Sequence, residues 1–210
     1  DRRIVRVEMA FRLARWLADQ KEKSASLPHS LEMASQRYAA EGAFIDWARN
    51  VLRGGEANKE LAAGYMQLLE GVSEIREAEN RHFAKLLQKE AGGLLDGGTL
   101  VPVENIVERA VAKVSKFSPV LVLLLDGMSC AVFREISADV LENDWIEVGF
   151  DIKQRYLGLS AIPSVTEVSR TSLFCGSLRR GQASDEIAGF ASHPALLKVS
   201  KQTASTRLFH

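Results

Sequence analysis

The 210 residues suffice for one large domain or two small ones, and 46% hydrophobic with 26% charged residues is the composition of an ordinary soluble globular chain. Lys+Arg and Asp+Glu each number 27, so the formal net charge is zero, and with both signs spread through the two halves no basic stripe argues for direct nucleic-acid binding. No apolar run has the length of a membrane span and no signal peptide is read. The two cysteines, Cys130 and Cys175, have neither disulfide-framework nor zinc-ribbon spacing and suit a reducing cytoplasm as packed thiols.

Through the front of the chain, apolar residues recur at helical spacing. Ile4, Val7, Phe11, Ala14 and Ala18 form one series; Leu31, Ala34, Tyr38, Ile45, Ala48 and Leu52 form another after the Pro28 break. Leu61, Tyr65, Leu68, Val72 and Ile75 begin a third that continues to Leu86. Three long amphipathic helices, each needing the others to cover its apolar stripe, predict a bundle over residues 1–95. The third helix carries Glu79-Asn-Arg-His82, and Glu-x-x-His is the spacing of di-iron carboxylate bundles. Such sites need two copies plus further carboxylates; this chain has one, so a helix pair near the surface or a hydrogen-bonded histidine is the plainer reading. His29 and His193, each beside a proline, read as loop residues.

Paired glycines in Gly92-Gly-Leu-Leu-Asp-Gly-Gly98 mark a boundary, because they stop a helix and loosen the connection. Beyond it, over 100–210, the pattern predicts α/β structure. Pro102 starts a helix to about Phe117, with Val103, Ile106, Val107, Ala110, Val111 and Val114 on one side. Pro119-Val-Leu-Val-Leu-Leu-Leu125 follows, a continuous apolar run bounded by Pro119 and Gly127 that reads as a central parallel strand covered on both faces. A helix over about Ala131–Leu141 comes next, then the alternating Trp145–Phe150 as a second strand, with Gly149 a possible bulge. Thr206–Phe209 reads as the start of another strand.

Two residues at the ends of these elements carry the chemistry. Asp126 closes the apolar strand, where open α/β sheets bind ligands. Forty residues on, Thr166 opens a helix running to Cys175, with Pro163 upstream as a breaker and Gly176 as a left-handed stop. A threonine hydroxyl is a poor nucleophile unless a base or a cation stabilises its oxyanion, and a carboxylate-held metal supplies the cation. A helix amino terminus adds unpaired N–H groups and the positive end of the dipole, favouring an ionised hydroxyl and a phosphate beside it. The plain alternative is that Thr166 is an N-cap and Asp126 a helix-start residue.

Taken together, Leu-Leu-Leu-Asp126-Gly-Met and Ile-Pro-Ser-Val-Thr166-Glu-Val-Ser-Arg-Thr-Ser-Leu-Phe-Cys-Gly resemble the PglZ branch of the alkaline-phosphatase superfamily, a component of bacteriophage-exclusion (BREX) defence systems. Asp185-Glu-Ile-Ala-Gly-Phe-Ala-Ser-His-Pro-Ala-Leu-Leu and the final Leu208-Phe-His also look like PglZ sequence, so the resemblance spans about 117–210, and the helical front is similar in character to the amino-terminal region of those proteins. It implies a fold in which a helical bundle precedes the first part of an alkaline-phosphatase-like α/β/α domain. It also implies a metal-dependent phosphatase or phosphodiesterase, with Asp126 a metal ligand and Thr166 both nucleophile and metal ligand. Members use two divalent ions, usually zinc, whose other Asp and His ligands come later in the domain. The chain therefore reads as a truncated front portion, inactive alone, whose implied partners are a phosphoester substrate and other BREX proteins. The alternative is a non-catalytic scaffold or interaction module of the defence complex.

Other nucleophile schemes fit less well. Gly127-Met-Ser129-Cys-Ala131 sits at a strand-to-helix turn, but a hydrolase elbow needs glycine where Ala131 stands, and no Ser-Asp-His set accompanies it. Cys175-Gly-Ser-Leu-Arg179-Arg180 is similar to a cysteine-phosphatase loop, yet the position of the phosphate-clamping arginine is Gly181. No phosphate-binding Gly-x-x-x-x-Gly-Lys run is present. Arg170, one turn beyond Thr166, can reach a phosphoryl oxygen, but pairing with Glu167 or another nearby acid is the weightier expectation.

Overall fold

The computed structural model describes residues 2–22, 27–90, 98–147 and 156–199. In chain order these form α1 (Arg2–Glu22), α2 (Leu31–Arg37), a π turn at Tyr38–Gly42, α3 (Ala43–Arg53), α4 (Lys59–Glu90) and β1 (Leu100–Pro102). There follow a 3-10 turn at Val103–Asn105, a second π turn at Val107–Val111, α5 (Ala112–Val114) and α6 (Cys130–Glu142). The last elements are β2 (Leu157–Leu159), α7 (Thr166–Cys175), α8 (Ala183–Ala191) and α9 (Pro194–Val199). The chain divides into two compact units, Asp1–Leu94 with Ser129–Val148, and Leu95–Met128 with Gly149–His210.

The first unit is helical. Met9, Leu13 and Trp16 of α1 pack with Ile45, Ala48 and Leu52 of α3 and Tyr65 and Val72 of α4. The predicted stripe of α1 is on the other side, with Ile4, Val7 and Phe11 exposed. Apolar residues occupy much of this helix's circumference, so periodicity alone does not select the buried face. Trp16 Nε1 donates to Glu41 Oε1 at 2.7 Å, which explains the burial of an indole with a polar tip. Ser30 caps α2 by accepting from the Met33 N–H at 3.2 Å. On α6, Arg134 Nη1 donates to the carbonyls of Ala39 and Ala40 in the π turn, both at 2.7 Å.

The second unit gathers Val103, Val107, Ala112, Ala161, Leu173, Phe174, Ala195 and Leu196 into a core. Phe174 meets Phe190 edge-on with ring centroids 5.4 Å apart, joining α7 to α8. Gly176 ends α7 with φ 66, and a side chain there would meet His193 Nε2 at 2.6 Å, so conformation and space both demand glycine. At the start of α8, Gln182 and Asp185 form a reciprocal capping box.

The predicted α/β class is overturned. The described residues are mostly helical, and their one sheet has two parallel strands of three residues, Leu100 opposite Leu157 through Pro102 opposite Leu159. Neither strand was predicted. The Pro119–Leu125 run has no regular secondary structure and no ladder partner among the described residues, and it is exposed, Leu121 at 81% and Leu123 at 78%. A Val/Leu run favours extension and burial without specifying which backbone it pairs with, and here neither requirement is met. Helix α6 belongs to the helical unit instead of covering a sheet. Trp145–Glu147 is irregular, while 148–150 and Thr206–Phe209 lie outside the described residues, as do 91–97 of the predicted boundary. The predicted single helix after Pro102 is the succession of 3-10, π and α turns. No helix among the described residues is long and apolar enough to cross a membrane.

Candidate functional site

Asp126 stands at a turn made by Gly127, whose φ of 70 is a left-handed conformation suited to glycine. Forty residues later the chain passes through the cis Ile162–Pro163 bond, and extended Val165 is the N-cap of α7. Thr166 is therefore the first helical residue, and its hydroxyl caps nothing. It donates instead to Asp126 Oδ2 at 3.0 Å. The structure thus brings the two predicted residues together at an exposed position on the second unit.

Arg170 completes the cluster. Its Nη1 lies 3.7 Å from the same Oδ2, and its Nε donates to both carboxylate oxygens of Glu186, at 2.9 Å each. Glu186 is 1% exposed and also meets Thr171 Oγ1 at 3.5 Å. Hydrogen bonding to Glu186, with help from the charges of Glu186 and Asp126, raises the Arg170 pKa against the opposing effect of burial, so the guanidinium stays charged. The predicted Glu167 partner is taken by Arg180, whose Nε donates to it at 2.7 Å. Glu186 was not singled out from sequence. It is sixteen residues from its arginine, on another helix, and no local pattern joins the two.

A divalent cation would find one carboxylate oxygen and one hydroxyl oxygen here. Zinc takes four ligands, or three and a water, and the described residues contain no group of three His, Cys, Asp or Glu placed to hold an ion. They do not build a metal centre by themselves. The Glu79–His82 pair is also no ligand set: Glu79 engages Arg76 and Arg37, while His82 Nε2 lies 2.7 Å from the Pro28 carbonyl.

The other nucleophile candidates are occupied structurally. Ser129 Oγ caps α6 by accepting from the Val132 N–H at 3.3 Å. Cys175 donates to the Asp185 carbonyl at 3.6 Å, and burial pushes its thiol pKa up, away from the reactive thiolate. Ser172 Oγ donates to the Arg179 carbonyl and accepts from the Arg179 N–H, which ties the segment after Cys175 to α7. His193, read as a loop residue, is buried at the start of α9, where Nδ1 accepts from the Ala195 N–H at 3.2 Å and Nε2 has no hydrogen-bond partner among the described residues. Pro194 at the first helical position was the signal that His193 precedes a helix. His29 is exposed.

Comparison with protein-family models, with curated proteins and with solved structures finds no match to this chain.

Proposed function

We propose that this chain carries the nucleophile portion of a PglZ-type, metal-dependent phosphoric ester hydrolase acting in bacterial antiviral defence in the cytoplasm. The observation that carries the reading is the 3.0 Å hydrogen bond from Thr166 to Asp126, two residues singled out by separate motifs forty positions apart. In the proposed reaction the Thr166 oxygen, losing its proton, attacks phosphorus in line as the P–O bond to the ester's alcohol breaks and that alcohol leaves protonated; water then cleaves the resulting phosphothreonine, releasing the phosphate and restoring the hydroxyl. Asp126 accepts the hydroxyl hydrogen and so sets which way the oxygen's lone pairs point. At the first position of α7, Thr166 stands beside helix N–H groups that have no intrahelical acceptor, and these favour the negative charge of alkoxide and phosphate alike. A pair of divalent ions, zinc by resemblance, would supply alkoxide stabilisation, with most of its ligands coming from outside the described residues. The substrate is then a phosphate monoester or diester, and the partners are other BREX proteins.

The second reading is a non-catalytic interaction module, favoured by the two-ligand donor set and the exposed Val120–Leu125 run. Zinc titration with a phosphodiester assay on the full-length protein separates them. The hydrolase requires zinc-dependent turnover that collapses in Thr166→Ala and Asp126→Ala; wild-type turnover in Thr166→Ala rejects the nucleophile assignment, and a scaffold shows no metal-dependent turnover at all.

A further inference from the structure

Arg170 has two engagements of different character. On one side, the buried Glu186 carboxylate takes its Nε through both oxygens, at 2.9 Å each. On the other, Nη1 faces Asp126 Oδ2 at 3.7 Å, an ion-pair separation longer than a hydrogen bond. The outer nitrogens therefore keep donor capacity for an oxygen entering beside the Thr166 hydroxyl, which ends on the same Oδ2. A helix-surface arginine three residues after Glu167 has an acid within easy reach. Here Arg180 pairs with Glu167, and Arg170 turns to Glu186 and Asp126.

Glu186 is suited to aim such a group. It sits in the first turn of α8, just after the Asp185 of the Gln182–Asp185 capping box, so its backbone is fixed by the helix start. Burial denies its carboxylate the option of water, so it is held by protein donors, the Arg170 Nε among them. A guanidinium can hold Glu186 with one nitrogen and an incoming anion with the others, whereas an ammonium is a single point charge that must choose.

Resting on the phosphoryl-transfer reading above, the geometry points to Arg170 as the residue that clamps a phosphoryl oxygen at the Asp126–Thr166 pair, and to Glu186 as the positioning residue that aims it. The clamp offsets the negative charge that Asp126 presents to an anionic substrate, and Glu186 acts only through Arg170.

Isothermal titration of the 210-residue chain with inorganic phosphate tests this, with thermal melts of each variant run alongside. Arg170→Gln and Arg170→Lys should each weaken phosphate binding about tenfold or more, because neither retains a fork that serves both partners. Glu186→Gln should weaken it several-fold at a temperature where the melt shows the variant folded, whereas a merely structural role would lower the melting temperature and leave affinity unchanged. Absence of phosphate binding by the wild type, or affinity in Arg170→Gln within twofold of wild type, overturns the inference. If Glu186→Gln does not fold, the two Arg170 variants decide. A parallel zinc titration of wild type and Asp126→Ala keeps the readings apart: Arg170-dependent phosphate binding without zinc binding supports the clamp and removes the metal reading, and zinc binding lost in Asp126→Ala with phosphate binding indifferent to Arg170 does the reverse.

Discussion

In the first unit, Arg76 is the buried partner of its ion network, with Asp46 at 3.2 Å, Glu79 on its other terminal nitrogen and the Tyr38 ring centroid 5.2 Å from its guanidinium carbon. In the second unit the acid is buried, and Arg170 reaches from Glu186 toward the surface carboxylate of Asp126. Around Arg76 the outer acids have further cations, Asp46 with Arg49 at 2.9 Å and Glu79 with Arg37 at 3.0 Å, so the network closes on itself. Gly42 makes room for it, since a side chain there would stand 3.2 Å from Arg76 Nη1. A buried cation ringed by acids spends its donors on the protein and serves architecture. A buried anion turns part of the cation's donor set outward, where a solute can meet it.

The largest effect is expected from Arg76→Leu, which leaves Asp46 and Glu79 facing each other without their shared cation. Urea unfolding followed by the fluorescence of Trp16 and Trp47 should show a loss of about 3 kcal/mol, at the low end for a broken buried pair because both acids reach water. A loss below about 1 kcal/mol would break the contrast between the units. Gly176→Ala should cost the second unit about 2 kcal/mol, through the left-handed backbone and the approach to His193, read from urea unfolding followed by far-ultraviolet circular dichroism, since the tryptophans all lie in the first unit.

A smaller, pH-dependent effect belongs to His193. Burial holds its pKa below the ordinary 6.5, with Glu108 pulling the other way. Below 6.5 the unfolded chain takes up a proton that the folded chain refuses, so stability should fall as pH drops from 6.5 toward the lowered folded value, and be unaffected above 6.5. His193→Asn should flatten that part of a melting-temperature profile. Smallest is Thr166→Ala, expected within about 1 kcal/mol of wild type, because an exposed hydroxyl that caps nothing contributes little to folding. A larger loss would make Thr166 an architectural residue like those around Arg76.

Local punctuation made the start and stop of α7 legible, since Pro163 and Gly176 act on their own neighbours. The nearness of Asp126 and Thr166 was expected from the resemblance of their two motifs and not from element ends, because the strand that Asp126 was expected to close does not form. The face of α1 was not legible, because Met9-Leu13-Trp16 and Ile4-Val7-Phe11 are equally good helical series and only α3 and α4 choose between them. Fold class failed at Pro119–Leu125 for a related reason: side chains there specify an extended apolar segment, while the backbone groups that would pair with it are chosen elsewhere. β1 and β2, three residues each, are too short to show any period. Glu186 finds Arg170 only after two helices pack.

The uncovered Val120–Leu125 segment has a colloidal consequence. Exposed valine and leucine side chains gathered in one segment adhere to apolar surfaces of other molecules, copies of themselves included. With a formal charge of zero at neutral pH there is no long-range repulsion to keep molecules apart and little for added salt to screen. Light scattering from concentrated solutions should therefore report clustering that mild urea disperses, that sodium chloride leaves in place, and that a lysine introduced at Leu123 suppresses.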